Sequence, residues 1–495
     1  MSSWVMDMEK KLQGAEPPAK VEKWQKHCVF RVPLRFKVVD ASVYKPQTVS
    51  LGPFHHNDKD LKPMEEHKMR AVRHLLLRES CKTTLAELVV AIEEVAEELE
   101  DAYMDLEDEW RGENRGRFLE MMIMDGCFLL EVMRTTAHAS ATTTLRKKDS
   151  IPTGDYVDGD PIFSPHGIQH IKPFIQRDML MIENQLPLRL LQRIIAVENG
   201  TSPSTGSINS MVLKFMETND SPERVNLGLH PLDIYRKSML KTGTETSGDE
   251  HHPQGPLNFK SWLCSWLKGP QNNIQRDRGM EIEKETPHLS HPNTPSKKAV
   301  PRSALKLSEA GIQFVPSKTG CLDDIKLHNW RLNMPMVLLD DSTAYKFHNM
   351  MVFEAMHVYT TNEVTAYVLF LKDLIDSIED VHLLVKKKVL ENDLADNDAA
   401  VVRLFNGLTK DVYKNWESGP CKEWENVKNH YRNNRLRVFL YKAWAYLNNK
   451  YFKSPWTFLA FVTAILLVVG DIVQTVYAVI GYDPNDSAKA KPKMN

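Results

Sequence analysis

The feature that most constrains this chain is a long apolar run near its C-terminus. Residues 455–482 read PWTFLAFVTAILLVVGDIVQTVYAVIGY. A helix needs about 20 mostly apolar residues to cross the hydrocarbon core of a bilayer, because each residue adds about 1.5 Å. Trp456 and Tyr477 lie where membrane helices often carry interfacial aromatic residues. The run therefore predicts a single transmembrane helix over 455–482, followed by a short tail, 483–495.

Three polar residues interrupt this run in its second half. Asp471, Gln474 and Thr475 share one face of a helix, because residues three and four positions apart are neighbours on its surface. An unpaired carboxylate in lipid is costly, and polar side chains can hydrogen-bond a second helix. Gly470 next to Asp471 permits close helix approach. Two interpretations stay open: the patch binds a partner helix, or Asp471 reaches the far headgroups.

Charge predicts the orientation of the chain in the membrane. Between Asn433 and Lys453 there are five basic residues and no acidic residue. An excess of basic residues before a span favours retention of that side in the cytoplasm. Three lysines in the tail argue the other way, but two aspartates offset them. The N-terminus lacks the apolar core of a signal peptide. We therefore expect the part of the chain before the span, called the body below, to lie in the cytoplasm and to be attached to the plasma membrane.

Composition excludes several classes of function. The chain has 495 residues, of which 63 are basic and 65 acidic, and this balance argues against nucleic-acid binding. Six scattered cysteines without a CxxC pair fit neither a disulfide framework nor a zinc site. The chain contains no GxSxG, P-loop, HExxH or GxGxxG motif. We expect no cofactor, no metal site and no enzymatic activity.

Apolar periodicity predicts a mainly α fold with a few short β-strands. Residues 28–452 read as one large irregular helical domain, preceded by a mobile lead-in, 1–27. Within the domain, residues 135–160 read as a loop. Residues 242–302 are rich in Gly, Pro, Ser and Thr and read as a disordered insertion. Two long helices are predicted by the same periodicity, 84–110 and 363–390, as well as a basic helix, 421–452.

The segment 44–56, YKPQTVSLGPFHH, predicts a short strand that ends in a turn at Gly52-Pro53. Gly52 allows the backbone to approach another part of the chain closely. His55 and His56 follow the turn. Adjacent histidines point apart, and no HxH or HxxxH spacing supports tetrahedral metal ligation. We therefore interpret the two histidines as hydrogen-bonding residues of the turn.

Helix 114–134 places an acid among hydrophobic residues. Asp125 shares its stripe with apolar residues three and four positions away, so it is predicted to point inward. A buried carboxylate has to be hydrogen-bonded or paired. Gly126, which follows it, costs helix stability but permits another backbone to approach.

A second group of polar residues surrounds a proline. Pro187 disrupts helical geometry, so Glu183, Asn184 and Gln185 are predicted to lie at a kink with freed backbone groups. Asp178 lies five residues before Glu183, again among apolar residues. Two interpretations remain for Asp125, Asp178 and Glu183. They tie chain segments together as buried hydrogen-bonding groups, or they are the acid and base residues of a hydrolase-like enzyme.

Several ordered segments resemble the plant domain-of-unknown-function family 247. They include VPLRF, YKPQTVSLGPFHH, LKPMEEHK, MDGCFLLE, RDMLMIENQLP, LSEAGIQF, FHNMMVFE, LFNGLTKDV and the apolar run itself. The chain departs modestly from the family pattern, with Phe54 where Tyr is common, Asn57 where Gly is common, and Met181-Ile182 where the family has two leucines.

The resemblance implies a membrane-associated plant protein. Grass members of the family are implicated as pollen-side determinants of self-incompatibility, and models of the family often place the body outside the membrane, which conflicts with the charge pattern. The leading hypothesis is a single-pass protein whose body binds another protein in recognition or signalling, with oligomerisation open. The alternatives are the hydrolase-like enzyme above and a soluble scaffold protein that buries the C-terminal helix.

Overall fold

Helices dominate the structure, as the periodicity predicts. The computed structural model describes residues 3–13, 24–38, 40–78, 81, 83–144, 156–157, 159–218, 226–240, 302–394, 398–410, 412, 418–451 and 455–480. Almost all of the predicted insertion and the whole C-terminal tail lie outside these ranges. In the predicted lead-in, residues 3–13 and 24–26 are helical, and the first of these helices is α1 below.

The helices that precede the insertion are α1 (Ser3–Gln13), α2 (Leu34–Lys37), α3 (Pro63–Leu77), α4 (Leu85–Glu93), α5 (Ala96–Asp101), α6 (Arg115–Thr144), α7 (Pro165–Asp178), α8 (Leu188–Asn199), α9 (Thr205–Phe215) and α10 (Pro231–Ser238). Local sequence explains where they start and end. Thr84 and Glu87 form a capping box at α4, and Ser164 caps α7 through the N–H of Gly167. Gly200 ends α8 with a left-handed backbone conformation.

The elements that follow the insertion are α11 (Ala304–Glu309), β1 (Gln313–Pro316), β2 (Lys326–His328), β3 (Arg331–Met334), β4 (Val337–Leu339), α12 (Thr343–Met356), α13 (Glu363–Leu374), α14 (Ile378–Lys386), β5 (Leu390–Asn392), α15 (Asp398–Leu408), α16 (Gly419–Asn433), α17 (Arg435–Lys450) and α18 (Pro455–Ile480). The strands form two small sheets. β3 pairs with β1 in parallel and with β2 in antiparallel orientation, while β4 pairs with β5 in parallel.

Buried apolar side chains form two clusters. The first surrounds α6, where Phe128 and Leu129 are fully buried, and takes in residues from α3, α4, α8 and α9. The second surrounds α12 and α13, where Phe353 and Tyr367 are fully buried, and takes in the sheets and α14 to α16. The segment between α7 and α8 contributes to both clusters.

Several predicted boundaries are wrong. Residues 135–144 belong to α6, so the predicted loop 135–160 begins at least ten residues too early. The predicted helix 84–110 is divided into α4, α5 and a short 3₁₀ turn, and 363–390 is divided into α13 and α14 by a second capping box at Ser377. The basic helix 421–452 breaks at Asn434 into α16 and α17. Capping residues inside an apolar pattern end a helix before the pattern itself ends.

The predicted strand in 44–56 is also absent. Val49 and Leu51 are fully buried, but their backbone pairs with no neighbouring strand among the described residues. Side chains from distant helices take the place of a partner strand. These side chains belong to the polar residues that the sequence singles out.

Candidate functional site

The predicted polar residues meet at the segment 179–187, which joins α7 to α8 at the junction of the two apolar clusters. Met179 and Leu186 pack in the first cluster, whereas Leu180 and Ile182 pack in the second. A nine-residue non-helical stretch replaces the predicted kink at Pro187. Its backbone needs hydrogen-bond partners because the surroundings are apolar.

Asp178, the last residue of α7, binds the backbone of the segment 47–49. Its carboxylate accepts hydrogen bonds from the N–H groups of Gln47 (2.9 Å), Thr48 (2.6 Å) and Val49 (2.9 Å). Asp178 is fully buried. Its two oxygens therefore accept the backbone hydrogen bonds that a neighbouring strand would otherwise accept. Asp178 is 130 residues away from Thr48 in the sequence.

Asn184 and Asp125 continue this series of bonds towards the turn. The amide oxygen of Asn184 accepts from the N–H of Leu51 (2.7 Å), and its nitrogen donates to the carbonyl of Val49 (3.0 Å). Oδ2 of Asp125 accepts from the N–H of Gly52 (2.7 Å). In the segment 47–52, five of the six backbone N–H groups thus donate to side chains.

The second carboxylate oxygen of Asp125 forms a buried ion pair with Lys68. Nζ of Lys68 lies 2.6 Å from Oδ1 of Asp125, and both side chains are 0 % exposed. Lys68 also donates to the hydroxyl of Ser50 (2.9 Å) and lies 2.6 Å from Oε1 of Glu65. A buried ammonium group without such partners would be strongly destabilising.

Glu183 binds the first ordered segment of the domain. Its Oε1 accepts from the N–H of Val32 (2.6 Å), and Nζ of Lys37 lies 2.9 Å from both of its oxygens. Nε2 of His55 lies 3.6 Å from Oε2. His55 thus faces the buried group formed by Asp125, Asp178, Glu183, Asn184 and Gln185, which we call the polar centre. The ring of His56 instead packs edge-on against Trp110 at 5.3 Å.

Gln185 connects the centre to α10. Its nitrogen donates to the carbonyls of Met179 (2.6 Å) and Met181 (2.7 Å), and its oxygen accepts from the N–H of Leu232 (3.0 Å). The hydroxyl of Tyr103 donates to the carbonyl of Gln185 (2.9 Å). These bonds satisfy backbone carbonyls of the non-helical segment that ends at Pro187.

The two predicted glycines are both at close contacts. Gly52 has φ of 81°, and a Cβ atom there would lie 2.8 Å from the Tyr103 hydroxyl. A Cβ atom on Gly126 would lie 2.6 Å from Cδ1 of Ile194 on α8. The prediction that Gly126 admits another backbone is wrong in detail, because side chains of α8 fill the space.

Burial and hydrogen bonding act in opposite directions on the three acids. Burial raises the pKa of Asp178 and of Asp125, although the N–H groups around Asp178 and the ammonium of Lys68 act against it. Burial also acts to raise the pKa of Glu183, but the neighbouring His55, the ammonium of Lys37 and the N–H of Val32 outweigh it, so this pKa lies below its ordinary value.

A second buried polar centre was not predicted from the sequence. Glu131 on α6 is 1 % exposed and binds Arg78 through both oxygens at 2.8 Å. Nδ1 of His74 lies 2.8 Å from Oε2 of Glu131, and the ring of Tyr156 stacks on His74 at 3.8 Å. Glu198 on α8 joins the network through Arg78 (3.1 Å). Glu131 follows an apolar stretch of α6, which is the same signal that identifies Asp125.

A third centre lies between α10 and α13 and was also missed. Glu354 accepts from Nε of Arg236 (2.8 Å) and from the N–H groups of Val364 (3.0 Å) and Thr365 (2.8 Å) at the start of α13. An acid within the apolar helix FHNMMVFEAM was the available signal.

Asn349, on α12, binds two segments that precede the insertion. Its amide oxygen accepts from the N–H of Ile182 (2.8 Å), and its nitrogen donates to the carbonyl of Val43 (2.7 Å). Asn349 is fully buried, and sequence analysis missed it. A single polar residue in an apolar helix gives no indication of its partners.

The predicted polar patch of α18 lies on an exposed helix. The hydroxyl of Thr475 donates to the backbone carbonyl of Asp471 (2.7 Å), and Thr463 makes the same kind of bond to Leu459 (2.8 Å). The side chains of Asp471 and Gln474 lie on the exposed surface. The structure therefore places all three residues of the patch on the exposed surface of α18.

The chemistry of the main polar centre is that of a set of fixed hydrogen bonds. The oxygens of Asp125, Asp178 and Glu183 bind N–H groups or lysines. Among the described residues, no group of three or more His, Cys, Asp and Glu side chains has the arrangement of a metal site. An apolar groove of about 690 Å³ lies elsewhere, between α3, α4 and α6. It is lined mainly by Met, Leu, Val and Ile side chains.

Comparison with known proteins identifies relatives along almost the whole chain. Residues 29–470 match the model of DUF247, described as a plant protein of unknown function. The UPF0481 protein At3g47200 of Arabidopsis thaliana is 27 % identical over 483 residues, which cover 94 % of this chain and 89 % of the relative. A second UPF0481 protein of the same plant, At3g02645, is 22 % identical over 528 residues, covering 94 % and 92 %.

No solved structure matches this chain. The family match covers the polar centre, both apolar clusters and most of α18. The chain therefore belongs to the DUF247 family of plant proteins of unknown function.

Proposed function

We propose that this chain is a single-pass membrane protein, without enzymatic activity of its own, whose helical body binds a protein partner in recognition or signalling. The observation that carries the proposal is α18. It is long and apolar enough to span a membrane, and none of its most apolar window is buried against the rest of the chain. An exposed apolar helix of this length in water would be strongly unfavourable.

The polar centre supports the non-enzymatic part of the proposal. The carboxylates of Asp125 and Asp178 bind the backbone of the segment 47–52, and the carboxylate of Glu183 binds Val32 and Lys37, so all three acids hold separate parts of the chain together. Neither of the two cavities described for this structure, the apolar groove and a smaller one beside Arg189, is lined by these acids. A catalytic carboxylate needs access to its substrate.

The apolar groove is the binding surface that we assign to the partner. Met69, Leu77 and Leu85 line it and are more than half exposed. Arg73 and Glu120 place one charge of each sign at the groove, so it has no preference for a polyanion or a polycation. Walls made of three helices and lined with flexible methionines suit an amphipathic helix of a partner protein.

Membrane fractionation tests the anchor. Deletion of residues 455–495 is expected to move the protein from the membrane pellet to the supernatant, whereas the full chain resists extraction by carbonate at high pH. Unchanged pelleting of the deleted form would contradict the proposal. Extraction of the full chain by carbonate would favour the soluble scaffold instead.

Binding to the groove is tested with charged substitutions in the full chain. Photo-crosslinking from position 77 in native membranes identifies a partner, and the purified partner is then measured against the Met69→Glu/Leu77→Glu variant. We expect binding to fall by a factor of about 100 or more, because two charges would be buried in the interface. Val90→Glu on α4 is the matched control, since Val90 is exposed but does not line the groove.

Undiminished binding of the partner to the double variant would place the recognition surface elsewhere.

The cytoplasmic orientation predicts that protease added outside intact cells leaves the body uncut and that the protein purifies with the plasma membrane. The self-incompatibility role implied by the family resemblance is a special case of this proposal, and it requires expression in pollen.

A further inference from the structure

The helix before the predicted span, α17, has two apolar faces. One face packs on the body: Val438 is buried, and the ring of Tyr441 covers Gly311, where a Cβ atom would approach it to 2.6 Å. The guanidinium of Arg437 lies over the ring of Trp330 at 4.8 Å. These contacts fix the rotation of α17 about its axis relative to the body.

The other face is turned away from the body. Leu436, Phe439 and Leu440 are 82 %, 67 % and 66 % exposed. With about 100° between successive residues, these positions together with Ala443 form a stripe about 100° wide, and Val438 lies roughly opposite to it. Burial in the body therefore leaves the most apolar stripe of α17 uncovered.

Charge and position indicate what covers this stripe. Arg435 and Lys442 flank it on one side and Arg437 on the other, and α17 contains no acidic residue. Only four residues separate Lys450, where α17 ends, from the start of α18. A helix with an apolar stripe between rows of cations is suited to the interface of an anionic bilayer.

Contacts also join Tyr451, which follows α17, to the first turns of α18. The hydroxyl of Thr457 donates to the carbonyl of Tyr451 (2.9 Å), and the rings of Tyr451 and Phe461 lie 5.1 Å apart. The end of α17 is thus held against the first turns of α18, where that helix would enter the bilayer.

We propose that α17 is an interfacial helix that inserts its Leu436, Phe439 and Leu440 stripe into an anionic lipid surface and carries the body on its opposite face. This inference rests on the proposed membrane span of α18. An interfacial α17 would hold the body at a fixed orientation to the membrane surface, whereas a flexible tether would let the body rotate freely. The lipid surface is the leaflet from which α18 enters.

The experiment uses the full chain in vesicles of phosphatidylcholine with about 30 % phosphatidylserine, a composition that carries the negative potential which attracts basic segments. A photoreactive p-benzoylphenylalanine replaces Leu440, Leu466 of α18 or Leu77 of α3 in separate preparations. We expect positions 440 and 466 to attach to labelled lipid and position 77 to attach about tenfold less, because only a residue inside the bilayer meets acyl chains.

The outcomes separate this inference from the proposed anchor. Lipid attachment at 466 together with attachment at 440 no higher than at 77 would overturn the interfacial helix and leave the anchor standing. No lipid attachment at 466 would overturn both. Attachment of position 440 to protein, whether a partner or a second copy of this chain, would also overturn the interfacial helix.

The role of charge is tested in the same vesicles. Arg435→Gln/Lys442→Gln is expected to lower lipid attachment at 440 by about fivefold or more, since each cation near an anionic surface is worth a factor of about five. Lys59→Gln/Lys62→Gln removes the same charge from exposed positions near α3 and is expected to change nothing. Equal attachment in the two double variants would overturn the assignment of an anionic surface.

Discussion

The same kinds of residue are buried and bound to other parts of the chain in the body but exposed in the C-terminal helix α18. In the body, Leu129 is fully buried, Asp178 binds three N–H groups and Gly126 is packed against α8. In α18, Leu466 and Asp471 are exposed, and, apart from the helix's own neighbouring atoms, no described atom lies within 4 Å of the Cβ position of Gly470.

This difference shows where each region obtains its stability. The body satisfies its apolar and polar groups internally, so a change there alters the free energy of unfolding. Beyond the contacts of its first turns with Tyr451, most apolar side chains of α18 are exposed, so their environment has to come from outside the chain. Matched substitutions in the two regions test this directly.

The largest expected difference concerns the acids. Asp178→Ala leaves one buried and two partly buried N–H groups without their acceptor and should lower the free energy of unfolding by about 4 kcal/mol, while Asp178→Asn keeps one acceptor oxygen and should cost about 2 kcal/mol. Asp471→Asn should leave the stability of the body unchanged. Urea unfolding of the full chain in detergent, followed by near-ultraviolet circular dichroism, measures all three. An equal loss for Ala and Asn would mean that the backbone bonds contribute little.

The next comparison concerns two leucines. Leu129→Ala creates a cavity in the first apolar cluster and should cost about 3 kcal/mol. Leu466→Ala should change the stability of the body by less than about 0.5 kcal/mol, because lipid surrounds α18 whether or not the body is folded. The same unfolding measurement applies. A large cost for Leu466→Ala would indicate that α18 packs on the body, as in the soluble scaffold.

A pH effect is expected from the body alone. Burial lowers the pKa of His230 to about 4, and its Nε2 donates to the carbonyl of Cys28 (3.0 Å). The unfolded state binds a proton below about pH 6.5 and the folded state does not, so stability present above pH 6.5 is lost as the pH falls towards 4. This loss should reach about 2 kcal/mol at pH 5.

The His230→Asn variant isolates this contribution. Asparagine can still cap α10, as His230 does through the N–H of Asp233 (3.2 Å), but it does not titrate. Its unfolding free energy should therefore depend less on pH between 7 and 5 than that of the unchanged chain. Identical pH profiles would show that His230 is not the responsible group. His348, whose pKa burial also lowers to about 4, would then be the next candidate.

The smallest expected difference concerns two glycines. Gly126→Ala forces its new methyl group against Ile194 and should cost about 1–2 kcal/mol. Gly470→Ala should be neutral, since the space around it is open. Thermal unfolding in detergent compares the two. Loss of an oligomer on Gly470→Ala, measured by crosslinking in membranes, would instead favour the interpretation that the polar patch of α18 binds a partner helix.

Sequence patterns predicted much of the fold and part of the polar centre. The apolar spacing in α6 correctly placed Asp125 inside the fold. The break at Pro187 correctly located a group of residues with backbone-binding side chains. Patterns failed where the partner is distant: Glu131 binds Arg78 across 53 residues, and Asn349 binds Val43 across 306.

The sequence by itself determined which residues avoid water, since side-chain hydrophobicity and its period are local properties of the chain. It thereby determined the helical character of the fold, the membrane-length helix α18 and the burial of Asp125 and Asp178. Only the tertiary structure decided that the segment 47–52 pairs with carboxylates and not with a strand. It also decided which face of α17 stays uncovered. Both depend on how distant helices pack, because a hydrogen-bond donor takes whichever acceptor the folded chain brings within about 3 Å.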